Sequence, residues 1–381
     1  MKIAIVRERA DGETRVAATP ETVQKLVGLG NSVAIEAGAG SAARFPDAEY
    51  QKAGATVTAS AAEAMSGAEI VLTVRRPTLD ILNGAAKGAL VIGSMDPYGN
   101  EKDIDALGKS GATLVAMEFM PRITRAQVMD ILSSQANLAG YQGVLDAAVA
   151  FDRAMPMMMT AAGTVRPAKV FVMGAGVAGL QAIATAKRLG AVVSATDVRA
   201  AAGEQVESLG AKFIMTDALK DASGSGGYAR ELTDAEKAAQ NELTASHIAK
   251  QDIVITTALI PGRPAPKLVS KAMVESMLPG SVIVDLAAER GGNVELTKPG
   301  EVITTPNGVT ILGYKNVPAR LATSASQLFA RNLVAFLDIM FDKKTKAFTV
   351  PWDDELVKAT VLTKDGAIVH PNIKLPGAAS A

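Results

Sequence analysis

The run KVFVMGAGVAGLQAIATAKRLGAVVSATD, residues 169 to 197, holds the densest set of groups able to do chemistry. A strand-like apolar stretch leads into Gly174-x-Gly176-x-x-Gly179, then a helical stretch ending at Leu189-Gly190, then a second strand ending at Asp197. Gly174 permits a tight turn, Gly176 lets backbone approach a pyrophosphate, and Gly179 allows the helix to pack closely on the strand. A dinucleotide pyrophosphate would rest on the helix N-terminus, where N–H groups and the helix dipole favour an anion. Asp197 follows Gly179 by 18 residues. There it can accept from adenosine ribose hydroxyls and repel a 2′-phosphate, which favours NAD(H) over NADP(H). Arg199 pulls the other way, since a guanidinium tolerates a phosphate. Ala175, Val177 and Val198 belong to the same expected surface. A tight strand–helix turn with no ligand is the bland reading of these glycines.

Ligands of open α/β sheets bind at the carboxyl ends of strands. Two further strand ends should therefore contribute, DIVITTALIPGRPAP (252 to 266) and SVIVDLAAERGGN (281 to 293). Ala258, Leu259 and Pro261 offer apolar contact for adenine or ribose, and Gly291 and Gly292 permit close backbone approach; loop punctuation explains them equally well. The stretch 221 to 240 is rich in glycine and serine before Tyr228, a side chain able to stack on a ligand if the loop closes. Composition alone fits an insertion without a role just as well.

A second polar cluster, PRITRAQVMDILSSQAN (121 to 137), sets Arg122, Arg125, Gln127, Asp130, Ser133, Ser134 and Asn137 beside an apolar run. It has no histidine, no cysteine and no acid/base pair. If 127 to 137 are helical at about 100° per residue, Gln127, Asp130, Ser133, Ser134 and Asn137 share roughly a third of the circumference. Val128, Ile131, Leu132 and Ala136 then face a core. A solvated helix face fits that pattern as well as a binding face does.

These groups need elements to hold them, and 381 residues are enough for two or three full domains. Acids and bases balance at 39 each, and aromatics are 4%, which argues against nucleic-acid or anionic-lipid surfaces. The sequence has no cysteine, so disulfides and thiolate chemistry are excluded; two histidines, His247 and His370, cannot build a histidine metal cluster. No signal peptide is legible at MKIAIVRERADGETR, and a cytoplasmic chain is expected.

Short apolar strands alternate with helical segments throughout, the α/β pattern. KIAIV, SVAIE, ATVTA, EIVLTV, ALVIG and ATLVAME form one series; KVFVM, AVVSATD, AKFIM, DIVITTA and SVIVDLA form another, followed by a hairpin EVITT/VTILG. We expect two Rossmann-like doubly wound parallel-sheet domains joined by long helices, at about 125 to 155 and 318 to 341. The first domain spans 1–130 and is completed by 322–381; the second spans 131–321. LVKATVLTKDGAIVH reads as a hairpin around Asp365-Gly366. Met157 to Met159 read as packing between domains.

Taken together, GETRVAATPETV, SSQANLAGYQGVLDAA, the glycine run from Met157 to Ala201, EQVESLGAKF, ITTALIPGRPAP and VIVDLAAERGGNVE resemble the NAD(H)-binding component of proton-translocating NAD(P) transhydrogenase. The alanine dehydrogenases are its relatives. The resemblance implies a homodimer that docks with a membrane-spanning subunit and a separate NADP(H)-binding component. Hydride then passes directly between two nicotinamides. It places the chain at the inner face of the cytoplasmic membrane through those partners, and the absence of appended membrane helices suits a split-gene form. The same resemblance assigns roles within the polar cluster. Asp130 and Ser133 fix the NADH carboxamide, Arg122 bonds the same head group or neutralises phosphate, and Gln127 reaches the incoming NADP(H). No acid or base is needed, because no O–H or N–H proton moves with the hydride.

Two rivals stand beside this reading. A free-standing alanine dehydrogenase needs a general acid/base. Arg15 is present, but the family's lysine corresponds to Arg75 or Arg76, and VIGSMDPYGN replaces the histidine-bearing strand end. The other rival is a module that binds NAD without catalysis. His247 and His370 are assigned no role.

Overall fold

The computed structural model describes residues 1–216, 233–342 and 344–375. The chain divides into two compact units, Met1–Gln135 with Ala319–Ala381, and Ala136–Pro318. It passes from the first to the second within the helix Ile131–Ala150.

The first unit is built on β1 (Lys2–Ile5), β2 (Ser32–Glu36), β3 (Thr56–Thr58), β4 (Ile70–Arg75), β5 (Leu90–Ser94) and β6 (Thr113–Ala116), all parallel in the order β3-β2-β1-β4-β5-β6. The strands read as continuous apolar runs because both faces are covered. Successive side chains alternate between those faces. Ile3, Ile5, Ile35, Ile70, Leu72 and Ile92 enter one core, whereas Ala4, Ala34, Val71, Val91 and Leu114 enter the other. The helix Ala322–Leu337 lays Phe329, Leu333, Phe336 and Leu337 into the first of these cores. The connecting helix Pro20–Gly28 starts where Thr19 and Thr22 form a reciprocal cap with Pro20 at the first position.

The C-terminal segment pairs with the edge of this sheet. Val361 bridges Val115 in antiparallel sense, and Leu362 N–H donates to Leu114 O at 2.8 Å. Beyond it, Thr363–Lys364 and Ala367–Ile368 pair as a hairpin, with Asp365 (φ 50) and Gly366 (φ 83) both in the left-handed region its two-residue turn requires.

In the second unit a hairpin comes first, β7 (Met158–Thr160) with β8 (Gly163–Val165). The sheet follows: β9 (Lys169–Met173), β10 (Val192–Thr196), β11 (Lys212–Phe213), β12 (Ile253–Thr256), β13 (Val282–Asp285), β14 (Val302–Thr304) and β15 (Thr310–Leu312). Their order is β11-β10-β9-β12-β13-β15-β14, parallel except for β14, which pairs antiparallel with β15. Two Rossmann-like sheets with the expected EVITT/VTILG hairpin are therefore present. Val170, Val172, Ile253, Ile255 and Val284 pack on one face; Phe171, Val254, Ile283 and Ile311 pack on the other.

Three local expectations are corrected. The stretch after Arg125 is not one helix: Thr124–Met129 is a 3₁₀ segment, and the α-helix runs only from Ile131 to Ala150. Val128 and Leu132, expected to face a core, are exposed, and of that group Ile131 is buried. Met157, Met158 and Met159 are exposed at the start of the β7–β8 hairpin rather than packed. Among the described residues no helix is long and apolar enough to cross a membrane.

Candidate functional site

In the second unit, the turn after β9 carries Gly174, Ala175, Gly176, Val177 and Gly179 into the helix Val177–Arg188. Gly174 has φ +106, a conformation only glycine adopts without strain. A Cβ on Gly179 would lie 1.8 Å from Gly174 O, so the helix sits on the strand turn with no room for a side chain. Gly176 caps the helix, and a Cβ there would meet nothing within 4 Å. The space it leaves open lies at a helix N-terminus, which suits the approach of a phosphate.

Asp197 follows β10 and faces this turn. Its Oδ2 accepts from Ala175 N–H at 2.7 Å, and its Oδ1 accepts from Arg199 N–H at 2.8 Å and Arg199 Nε at 2.9 Å. Burial pushes the carboxyl up, but the Arg199 and Ala175 hydrogen bonds outweigh it and hold Asp197 below the usual carboxylate range. It is ionised at neutral pH. Arg199 spends its guanidinium on Asp197 and on Ala175 O, so the phosphate-tolerating role weighed for it competes with an ion pair.

The turn after β12 contributes Ala258, Leu259 and Pro261. Val177, Val198, Leu259 and Ile260 are exposed apolar groups at the ends of β9, β10 and β12, strands that are sheet neighbours. They offer apolar walls on either side of an anion-favouring helix end. The structure thus brings Gly174, Ala175, Gly176, Val177, Gly179, Asp197, Val198, Arg199, Ala258, Leu259 and Pro261 to one sheet edge. Tyr228 lies outside the described residues.

Two side chains that hold this edge together escaped the sequence reading. Thr257 Oγ1 donates to Gly174 O at 3.2 Å, tying the two turns. Asn293, fully buried, binds both backbone groups of Ala258. Their only sequence signal was position just past the two strands already singled out.

In the first unit the polar cluster sorts by role. Asp130 Oδ1 accepts from Ser133 N–H at 2.9 Å and Oδ2 accepts from Ser133 Oγ, so the pair caps the start of the helix Ile131–Ala150. Gln127 belongs to the 3₁₀ segment before the cap and is exposed, as is Arg122. The shared helical face expected for Gln127, Asp130 and Ser133 does not exist, because the 3₁₀ turn breaks the 100° progression. Arg125 forms a forked ion pair with Asp354, at 2.8 Å on each arm. Asn332 Nδ2 donates to Val128 O at 2.8 Å, and Ser134 Oγ donates to Asn332 Oδ1 at 2.7 Å. The loop therefore rests on the helix Ala322–Leu337, a support no spacing in the sequence announces.

At the carboxyl ends of β1 and β4, Glu13 pairs with Arg15 (2.7 Å) and with Arg75 (2.9 Å). Burial acts to raise the Glu13 carboxyl, yet the Arg15 and Arg75 contacts hold it down to about 2. Glu8 lies beside them, accepting from Val74 N–H at 2.6 Å and Arg75 N–H at 3.2 Å. Burial pushes its carboxyl up to about 7, and the negative Glu13 adds to the rise.

Known proteins resemble this chain end to end. Residues 4–139 match the model of the alanine dehydrogenase/PNT N-terminal domain, and residues 143–371 match the C-terminal domain of the same family. An NAD(P) transhydrogenase alpha-subunit chain of Rhodospirillum rubrum is 54% identical over 385 residues, covering 99% of this chain and 100% of that one. The crystal structure of transhydrogenase from Sinorhizobium meliloti superposes with a TM-score of 0.88 at 57% identity, covering 97% of this chain and 100% of the other. Alanine dehydrogenase of Halomonas elongata is more distant, 29% identical over 97% of this chain and 95% of its own. With both domains matched and end-to-end identity above one half, the chain belongs to the alanine dehydrogenase/PNT family, on its NAD(P) transhydrogenase subunit alpha side.

Proposed function

We propose that this chain is the NAD(H)-binding subunit of a proton-translocating transhydrogenase, giving or taking hydride directly to or from NADP(H) held on a partner component. Membrane-spanning partners couple that transfer to proton movement and keep the chain at the cytoplasmic face of the membrane; the chain itself acts as a homodimer, which sedimentation equilibrium reads directly. The observation that supports the reading most is the end-to-end likeness to transhydrogenase alpha chains, joined to an ionised Asp197 aimed at the glycine turn.

The nicotinamide supplies the hydride chemistry when bound, so the protein's work is to bind, align and exclude water. The N-terminus of the helix Val177–Arg188 takes the pyrophosphate, and Asp197 takes the adenosine ribose. Val198, Leu259 and Pro261 give apolar contact. Asp130 still has lone pairs beyond those used by Ser133, enough to accept from a carboxamide N–H2, and Ser133 Oγ can still accept. Arg122 serves the same head group, and Gln127 serves the incoming NADP(H). Alanine dehydrogenation is the weaker reading. In the alanine dehydrogenases a histidine at a strand end of the first unit supplies the acid/base; VIGSMDPYGN stands there in this chain, and His247 lies in the second unit. His370 of the first unit is buried, with its Nε2 on Ala359 O and its ring stacked on Phe119, and Arg15 and Arg75 are engaged by Glu13.

The test is reconstitution: purified chain mixed with an NADP(H)-binding component should pass hydride from NADH, and no transfer would reject the proposal. In that assay Gln127→Asn should lower the rate about a hundredfold, since a misplacement near 1 Å is enough. The NADH dissociation constant should move by less than about threefold, a shift below 1 kcal/mol. Normal transfer by the variant, or a loss explained wholly by weaker NADH binding, would remove Gln127 from the proposed role.

A further inference from the structure

Among the described residues, Asn293 is the one buried amide whose side chain reaches directly to a turn of the candidate dinucleotide site. Its Oδ1 accepts from Ala258 N–H at 3.0 Å, and its Nδ2 donates to Ala258 O and to Pro266 O, both at 2.8 Å. The amide thus pairs with Ala258 as a neighbouring strand would, and it gathers the far end of the same loop at Pro266. It is itself immobilised: Leu268 and Val269 N–H groups donate to its backbone carbonyl at 2.7 and 3.1 Å. The adjoining turn is fixed by Asp285, which accepts from Val294 N–H at 3.0 Å and Ala287 N–H at 3.0 Å. From Ala258 the chain of contacts continues one residue back, where Thr257 Oγ1 reaches Gly174 O. The loop that ends β12 is therefore carried by the loop that ends β13. At Ala258 the link is the Asn293 side chain; further along, Ala265 N–H donates to Arg290 O at 2.9 Å and Lys267 Nζ donates to Gly291 O at 2.6 Å.

We infer that Asn293 is a positioning residue of the dinucleotide site, setting the height of the 258–266 loop against the bound cofactor. The inference rests on the NAD(H) reading given above. Without this clasp the exposed Leu259–Pro261 segment loses its only side-chain tether among the described hydrogen bonds at Ala258, and the apolar wall it offers is no longer held for the ligand. Asn307 provides an internal comparison. Its Nδ2 clasps Val274 O, Glu275 O and Met277 O at 3.1 to 3.3 Å, but in the turn before β15, at the amino edge of the same sheet.

The experiment is equilibrium titration of the full chain with NADH, followed by NADH fluorescence, alongside a thermal melt of each variant. Asn293→Ala should raise the NADH dissociation constant by about tenfold or more, in line with losing one or two net hydrogen bonds. Asn307→Ala should lower the melting midpoint with NADH affinity kept within about twofold, well under 1 kcal/mol. Asn293→Asp sets a carboxylate against the Ala258 and Pro266 carbonyls; its affinity should be poor at neutral pH and recover as the pH falls and the acid can donate. A role in stability alone gives no such recovery. If Asn293→Ala fails to fold, Asn293→Asp and its pH profile carry the same test. Wild-type affinity in both Asn293 variants, with wild-type chain binding NADH normally, overturns the inference and leaves the NAD(H) reading intact. Absence of NADH binding by the wild-type chain rejects both.

Discussion

At Asp197 a single carboxylate does two jobs. It ties the glycine turn through Ala175 N–H and it keeps Arg199 occupied. The energetic consequence for cofactor choice is direct. A 2′-phosphate would meet an ionised acid and would gain Arg199 only by breaking its ion pair. Wild-type chain should therefore bind NADH at least tenfold more tightly than NADPH, about 1.4 kcal/mol. Asp197→Ala should narrow that gap from both sides, removing the ribose acceptor and releasing Arg199 for phosphate. Parallel titrations with the two nucleotides check this, and equal wild-type affinities would refute the specificity assigned to Asp197. Much of this residue was legible in the sequence, because an acid at the end of the strand after a glycine turn is a local signature. The commitment of Arg199 was not, since its partner depends on side-chain geometry.

Among the elements, the helix Ile131–Ala150 makes a close approach to the glycine turn. A Cβ on Gly140 would lie 2.0 Å from Ala178 O, and one on Gly143 would lie 3.1 Å from Leu286 Cδ2. Two glycines in mid-helix cost about 1 kcal/mol each in propensity, so their presence needs a packing reason, and these contacts supply it. For Gly140→Ala the propensity gain and the clash oppose each other. Backbone oxygen at 2.0 Å cannot yield as a flexible side chain would, so the clash prevails. The expected result is a net loss of about 1 to 3 kcal/mol in urea unfolding, with weakened NADH binding as the helix Val177–Arg188 shifts. A variant as stable as wild type, or more so, would mean that the helices part without cost.

Over the whole molecule, charge is balanced, so the pH dependence of stability falls to a few buried groups rather than to net repulsion. Glu8 and Glu13 pull in opposite directions. Glu13, held at about 2 against an ordinary 4.5, contributes stability that is present above the ordinary value and is lost as the pH falls toward 2. Glu8, raised to about 7 from 4.5, keeps a proton that the unfolded chain releases. Its contribution is full below 4.5, declines as the pH rises through 7, and then levels off. Stability should thus fall by an amount on the order of a few kcal/mol between about pH 5 and 7.5, and Glu8→Gln should flatten that decline. Urea melts across this range check it; an unchanged slope in the variant would assign the decline to other groups.

The sequence by itself determined the parts of this protein that are periodic or local. Alternating apolar runs and helical segments specified two parallel sheets, because strands covered on both faces must be apolar throughout. The glycine turn and Asp197 were legible because their spacing is imposed by one strand–helix–strand unit. The tertiary structure alone decided the rest. Asp130 acts as a helix cap, so the 3₁₀ segment carrying Gln127 departs from the helical face that spacing suggests. Asn293 reaches Ala258 across 35 residues, Asn332 reaches Val128 across 204, and Arg15 reaches Gln135 across 120. A polar side chain that finds its partner across the fold leaves no period and no motif in the chain. Only the packing of the sheets sets which amide meets which carbonyl.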